Sequence, residues 1–172
     1  MYKLMTTEGL TGQSKELAVI IMGSKGDRSH ADEIIKVLDD FKIKYNLRVG
    51  SAHKTPEHVL NIIREYDQQS RPIVYVTVAG RSDALSAFVD SATHHPVIAC
   101  PPYSEKFGGT SIFSSLNVPS GIGNTVTAYP EQAALALVKI FALGNPIIRE
   151  LVSRYQQNAR GVVTSADREL TK

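Results

Sequence analysis

The sequence predicts a three-layer αβα sandwich, with helices on both faces of a central parallel sheet. Three observations lead there. Short, continuous apolar runs such as LAVIIM and PIVYVTV have the length and composition of strands buried on both faces. Between the runs, apolar residues recur every three or four positions, as on the inner face of an amphipathic helix. The two patterns alternate along the chain, and strand–helix–strand units in series build parallel sheets.

Residues 1–15 are polar and aperiodic and read as a flexible tail, without the apolar stretch of a secretory signal. LAVIIM is the first strand, and Ala31, Ile34, Ile35, Leu38 and Phe41 mark the helix after it. YNLRVGSA is the second strand, followed by a helix with Val59, Ile62, Ile63 and Tyr66 inward. PIVYVTVAG is the clearest buried strand, and RSDALSAFVDSAT a shorter helix. PVIACPP is a fourth strand, closed by two prolines that cannot continue a ladder. Residues 103–123 are rich in Gly and Ser and read as loop, with a short helix near TSIFSSL. A helix over residues 129–143 carries the stripe Ala133, Ala134, Leu137, Val138 and Phe141, and Gly144 breaks it. Another helix begins at Pro146, and the closing GVVTSADRELTK reads as frayed. The organisation expected is a tail (1–15), an α/β domain (16–144) and a C-terminal helical extension (145–172) used in oligomer contact.

At 172 residues the chain suits one domain, and 42% hydrophobic with 21% charged residues is an ordinary globular mix. A net charge of +2 leaves no broad basic face for nucleic acid. No apolar run approaches the roughly 20 residues that span a bilayer. One cysteine, Cys100, excludes an intramolecular disulfide and suits a reducing cytoplasm.

In parallel α/β sheets ligands bind beyond the carboxyl ends of the strands. The segments that follow the four strands are GSKGD, SAHKT, AGRSD and PPYSE. In GSKGD, Gly23 and Gly26 let backbone approach a ligand and Ser24 adds a hydroxyl; a tight turn with Asp27 as N-cap is the plainer alternative. In SAHKTP, Thr55 suits an N-cap and Pro56 the first helical position, which leaves His53 and Lys54 without a structural task. A histidine there can take and return a proton near neutral pH, and Lys54 can meet a phosphate. In AGRSD, Ala79 and Gly80 leave open space, Ser82 and Asp83 suit a cap, and Arg81 is either an anion contact or a solvated surface charge. His30 and His58 fall within helices and His94 and His95 follow one, without the spacing of a metal site. Cys100 sits in an apolar strand and reads as a small core residue.

Taken in order, MGSKGD, GSAHKTPEHV, VAGRSDALSAFV, PVIACPP and SSLNVPSGI closely resemble the PurE family of purine biosynthesis, over residues 17–143. The resemblance implies a flavodoxin-like αβα sandwich assembled into homo-oligomers, tetramers favoured over octamers, with no metal, biotin or nucleotide cofactor. Members of its first class, mutases acting on N5-carboxyaminoimidazole ribonucleotide, carry a Gly-x-Ala-Ala-His-Leu-Pro-Gly-Met stretch in the third loop. AGRSDALSAFV lacks it and resembles the second class, which joins CO2 directly and reversibly to 5-aminoimidazole ribonucleotide to give the 4-carboxy product. The same resemblance makes His53 the catalytic histidine. It makes Ser24, Asp27, Ser51, Lys54, Gly80 and Ser82 the substrate-binding positions. Two departures stand out: Gly26 occupies the place of a second serine, and Asp83 that of a frequent asparagine, adding negative charge beside the site. A non-enzymatic receiver- or flavodoxin-like binding module is the rival of another class, but GSKGD and AGRSD lack the acidic cluster of a receiver.

Overall fold

The computed structural model describes residues 15–171, so the expected tail lies outside the described residues except for Lys15. Strands β1 (Leu17–Met22), β2 (Lys44–Val49), β3 (Ile73–Val78), β4 (Val97–Ala99) and β5 (Thr125–Val126) form one parallel sheet in the order β2-β1-β3-β4-β5. Helices α1 (Arg28–Asp40), α2 (Pro56–Asp67), α3 (Ala84–Ala92), α4 (Phe113–Leu116), α5 (Pro130–Gly144) and α6 (Pro146–Leu170) make the remaining layers.

The continuous apolar runs follow from burial on both faces. Along β1, Ala18, Ile20 and Met22 enter the core shared with α1, α5 and α6, while Leu17, Val19 and Ile21 enter the core under α2 and α3. Strand side chains alternate with a period of two, so only a sheet covered twice needs every residue apolar. Each fully buried Ile or Leu contributes about 1.5–3 kcal/mol, and Ile20, Ile21, Ile34, Leu38, Ile62 and Leu137 are all below 2% exposed.

Two features depart from the sequence expectation. Strand β5 lies in a stretch read without any element; its two residues pair with Ile98 and Ala99, too short a run to show a period. The C-terminal segment does not fray: α6 continues without a break to Leu170, uninterrupted by proline and with Arg168 in its last turn, where a cation suits the helix dipole. Asn145 caps its start, accepting from the Ile147 and Ile148 N–H groups at 2.9 and 3.3 Å. Ile148, Leu151, Val152 and Tyr155 pack into the same core as α1 and α5, and the Tyr155 hydroxyl donates to Glu131 Oε1 at 2.6 Å. From Arg160 on the helix is exposed, Val162 and Val163 included. Among the described residues, no helix is long and apolar enough to cross a membrane.

Candidate active site

Strand order turns the alternating pattern into a cleft. The chain leaves β1 toward β2 on one side and returns to β3 on the other, so the segments after β1 and β3 diverge at this switch point. A cavity of about 400 Å³ opens there, lined by Gly23, Ser24, Asp27, Ser51, Ala52, His53, Lys54, Ala79, Gly80, Arg81, Ser82 and Leu85. All seven residues expected from the sequence to form the site lie on this wall, drawn from three loops spread over some sixty residues of chain.

The first loop is shaped by a reciprocal cap. Gly26 N–H donates to Ser24 Oγ at 3.2 Å, while the Ser24 N–H and hydroxyl donate to Asp27 Oδ2 at 2.8 and 3.0 Å. Asp27 therefore turns its carboxylate back over residues 24–27, a 3-10 turn, instead of capping α1 with its side chain. The Gly26 N–H is thus engaged within the loop.

The second loop closes on itself. Ser51 N–H donates to Thr55 Oγ1 at 3.1 Å, Thr55 N–H to Ser51 O at 2.8 Å, and Lys54 N–H to Ser51 Oγ at 3.3 Å. Thr55 occupies the N-cap position with Pro56 following, yet its hydroxyl serves the turn rather than α2. His53 and Lys54 are left exposed on the tip, facing the cavity. Gly50 N–H donates to Met22 O at 2.9 Å, tying this loop to the end of β1.

The third loop supplies small residues: Ala79 and Gly80 line the wall, and a Cβ added to Gly80 would come within 3.3 Å of Pro102 Cγ. Asp83 does not line the cavity. It is 2% exposed and bonded to Ser86 and Ser115, turned into the protein because its carboxylate completes the cap of α3. The fourth segment, PPYSE, stays off the wall and acts by packing Pro102 against the third loop. Two lining residues escaped the sequence reading. Ala52 is small and unremarkable in type, and Leu85 looks like any inward residue of α3.

The remaining histidines have other surroundings. His30 Nε2 lies 3.3 Å from Cys100 Sγ, and burial lowers the His30 pKa and pushes the Cys100 thiol up to about 11. Such a thiol is a poor nucleophile, as expected of a core residue. His58 Nε2 meets Val49 O at 3.2 Å, and His95 sits 3.9 Å from Asp67 with its pKa lowered by burial. Among the described residues, no group of three or more His, Cys, Asp or Glu side chains is placed to hold a metal ion.

A doubly wound sheet whose switch-point cleft combines one histidine, two cations, one carboxylate and a small-residue wall is the architecture of an α/β enzyme. A family model described as AIR carboxylase matches residues 17–161. A phosphoribosylaminoimidazole carboxylase of Archaeoglobus fulgidus is 54% identical over 153 residues, 89% of this chain and 84% of that protein. One from Treponema denticola is 42% identical over 158 residues, 92% of this chain and 99% of its own. The crystal structure of Treponema denticola PurE superposes with a TM-score of 0.89 at 43% identity, covering 91% of this chain and 99% of that one. The chain belongs to the AIR carboxylase family, enzymes of the carboxy-lyase class in purine biosynthesis.

Proposed function

We propose that the cavity joins CO2 to 5-aminoimidazole ribonucleotide, reversibly, to give 4-carboxy-5-aminoimidazole ribonucleotide. The observation that carries this reading is the convergence of His53, Lys54, Ser24, Asp27, Ser51, Gly80 and Ser82 on one wall. The aminoimidazole is an electron-rich, enamine-like ring whose C4 attacks the carbon of CO2. A C–C bond forms as one C–O π bond becomes the carboxylate, and C4 briefly carries both the new carboxylate and its hydrogen. His53 removes that proton and the C–H electrons restore the aromatic ring. In reverse, protonated His53 returns the proton to C4 and CO2 leaves.

The other roles follow from charge and size. Lys54 meets the phosphate as a point charge with the Ser51 hydroxyl as a partner, and Ser24 and Asp27 contact the ribonucleotide from the first loop. Gly23, Ala79 and Gly80 leave a compact, weakly polar recess suited to CO2, which gains reactivity where water is excluded. The enzyme works in the cytoplasm, without a cofactor. It assembles as a homo-oligomer, a tetramer favoured over an octamer, through the exposed apolar residues Tyr103, Phe113, Leu116, Val162 and Val163.

The deciding assay supplies purified protein with aminoimidazole ribonucleotide, with and without bicarbonate. Carboxylated product that rises with dissolved CO2 is the expected result. Failure there, with fast conversion of N5-carboxyaminoimidazole ribonucleotide, would make the protein a mutase and overturn direct carboxylation.

A further inference from the structure

We propose that Asp83 is a positioning residue: buried behind the third loop, it clamps that loop to α4 and so holds Gly80, Arg81 and Ser82 ready for substrate. This role rests on the cavity being the substrate site, as proposed above.

Asp83 uses every polar group it has. Oδ1 accepts from the Ser86 N–H at 3.0 Å, capping α3, and Oδ2 accepts from the Ser115 hydroxyl at 2.7 Å. Its own N–H donates to Ser114 Oγ at 2.8 Å, and that hydroxyl donates to Ser111 O at 2.7 Å. One residue thus grips two consecutive serines of α4. At the far end of α3, Asp90 Oδ2 accepts from the Gly123 N–H at 2.8 Å, and the Asn124 amide reaches Ser115 O at 3.5 Å. Residues 113–124 are strapped along α3 at both ends.

Apolar packing does not do this work in α4. Phe113 and Leu116 are 62% and 55% exposed, whereas Ser115 is 1% exposed. The helix turns its serines inward, and Asp83 receives both, Ser115 on its buried carboxylate and Ser114 on its backbone N–H. Between β3 and Asp83 the loop is short, and Arg81 and Ser82 are exposed. Its order therefore comes from its two anchored ends. When one anchor loosens, only a fraction of molecules present the loop correctly, and apparent affinity falls by that fraction.

Ser115→Ala removes the bond to Oδ2 and keeps the Asp83–Ser86 cap on which α3 depends. Two readouts are taken on the full chain: amide hydrogen exchange at Asp83, and KM and kcat for carboxylation of the ribonucleotide. The clamp predicts faster exchange and a KM raised by about tenfold, with kcat within about twofold of wild type. Asp83→Asn keeps the shape, its amide donating to Ser115 Oγ, and is expected to stay close to the wild-type KM, whereas Asp83→Ala exceeds the Ser115→Ala defect. A wild-type KM in Ser115→Ala, or a fall in kcat alone, would overturn the positioning role even with stability reduced. Exchange reads the clamp without substrate. Wild-type exchange in Ser115→Ala would refute the clamp, whereas an inactive wild-type enzyme would refute the ribonucleotide reading.

Discussion

Gly50, which no cavity contact singles out, should control how accurately His53 is presented. A Cβ built at Gly50 would stand 2.9 Å from Val59 Cγ2 and 3.4 Å from Ile62 Cδ1. Carbon atoms pack at about 3.5–4.0 Å, so in Gly50→Ala one side must retreat by roughly half an ångström. Val59 is fully buried, and a β-branched residue in a helix holds essentially one rotamer, so α2 moves rather than the side chain. Overpacking of this kind costs about 1–3 kcal/mol. The displaced helix carries the Ser51–Thr55 turn and His53 with it, and since a 1 Å misplacement costs on the order of 100-fold, half of that predicts about tenfold in kcat/KM. Urea unfolding and steady-state carboxylation measure the two effects. The double variant Gly50→Ala/Val59→Ala removes the clashing methyl groups. It should recover most of kcat/KM while remaining less stable than wild type, a coupling that isolated sites do not show. Wild-type stability and activity in Gly50→Ala, or a double variant slower than the single, would refute the steric reasoning.

The other expected outcomes concern the site and its pH response. His53→Asn should abolish turnover with an unchanged circular dichroism spectrum and unfolding midpoint, because the exposed ring carries no packing; near-normal rates would remove it as the base. Lys54→Ala should raise the ribonucleotide KM by about tenfold with kcat nearly unchanged, since a phosphate contact persists through the reaction. Loss of kcat alone in steady-state rates would contradict that role. His30 and His95 are both held below the usual 6.5 by burial, so the unfolded chain binds their protons more readily. Stability should be full above pH 6.5 and decline as pH falls through their folded values. Urea midpoints between pH 8 and 5 measure that decline, and His95→Gln should make it shallower.

The sequence by itself determined the elements and the chemistry offered at their ends. β1 and β3 are legible because burial on both faces forces every residue apolar, and α1 and α2 because burial on one face imposes a helical period. The same local logic exposed GSKGD, SAHKT and AGRSD as chemically loaded turns, and the seven residues within them that the family resemblance implies as site residues share one wall. Other features needed the tertiary structure. Two residues of β5 carry no period, and only their register with Ile98 and Ala99 makes them a strand. Thr55 and Asp27 have the side chains of caps, but competing partners at Ser51 and Ser24 claim them. Asp83 reads as a cap of the third helix, and the Ser86 N–H bears that out, but its second partner, the Ser115 hydroxyl 32 residues along the chain, comes within reach only in the fold. A residue's type and spacing fix which bonds it is able to make, whereas the direction of its side chain depends on partners that only folding brings within reach.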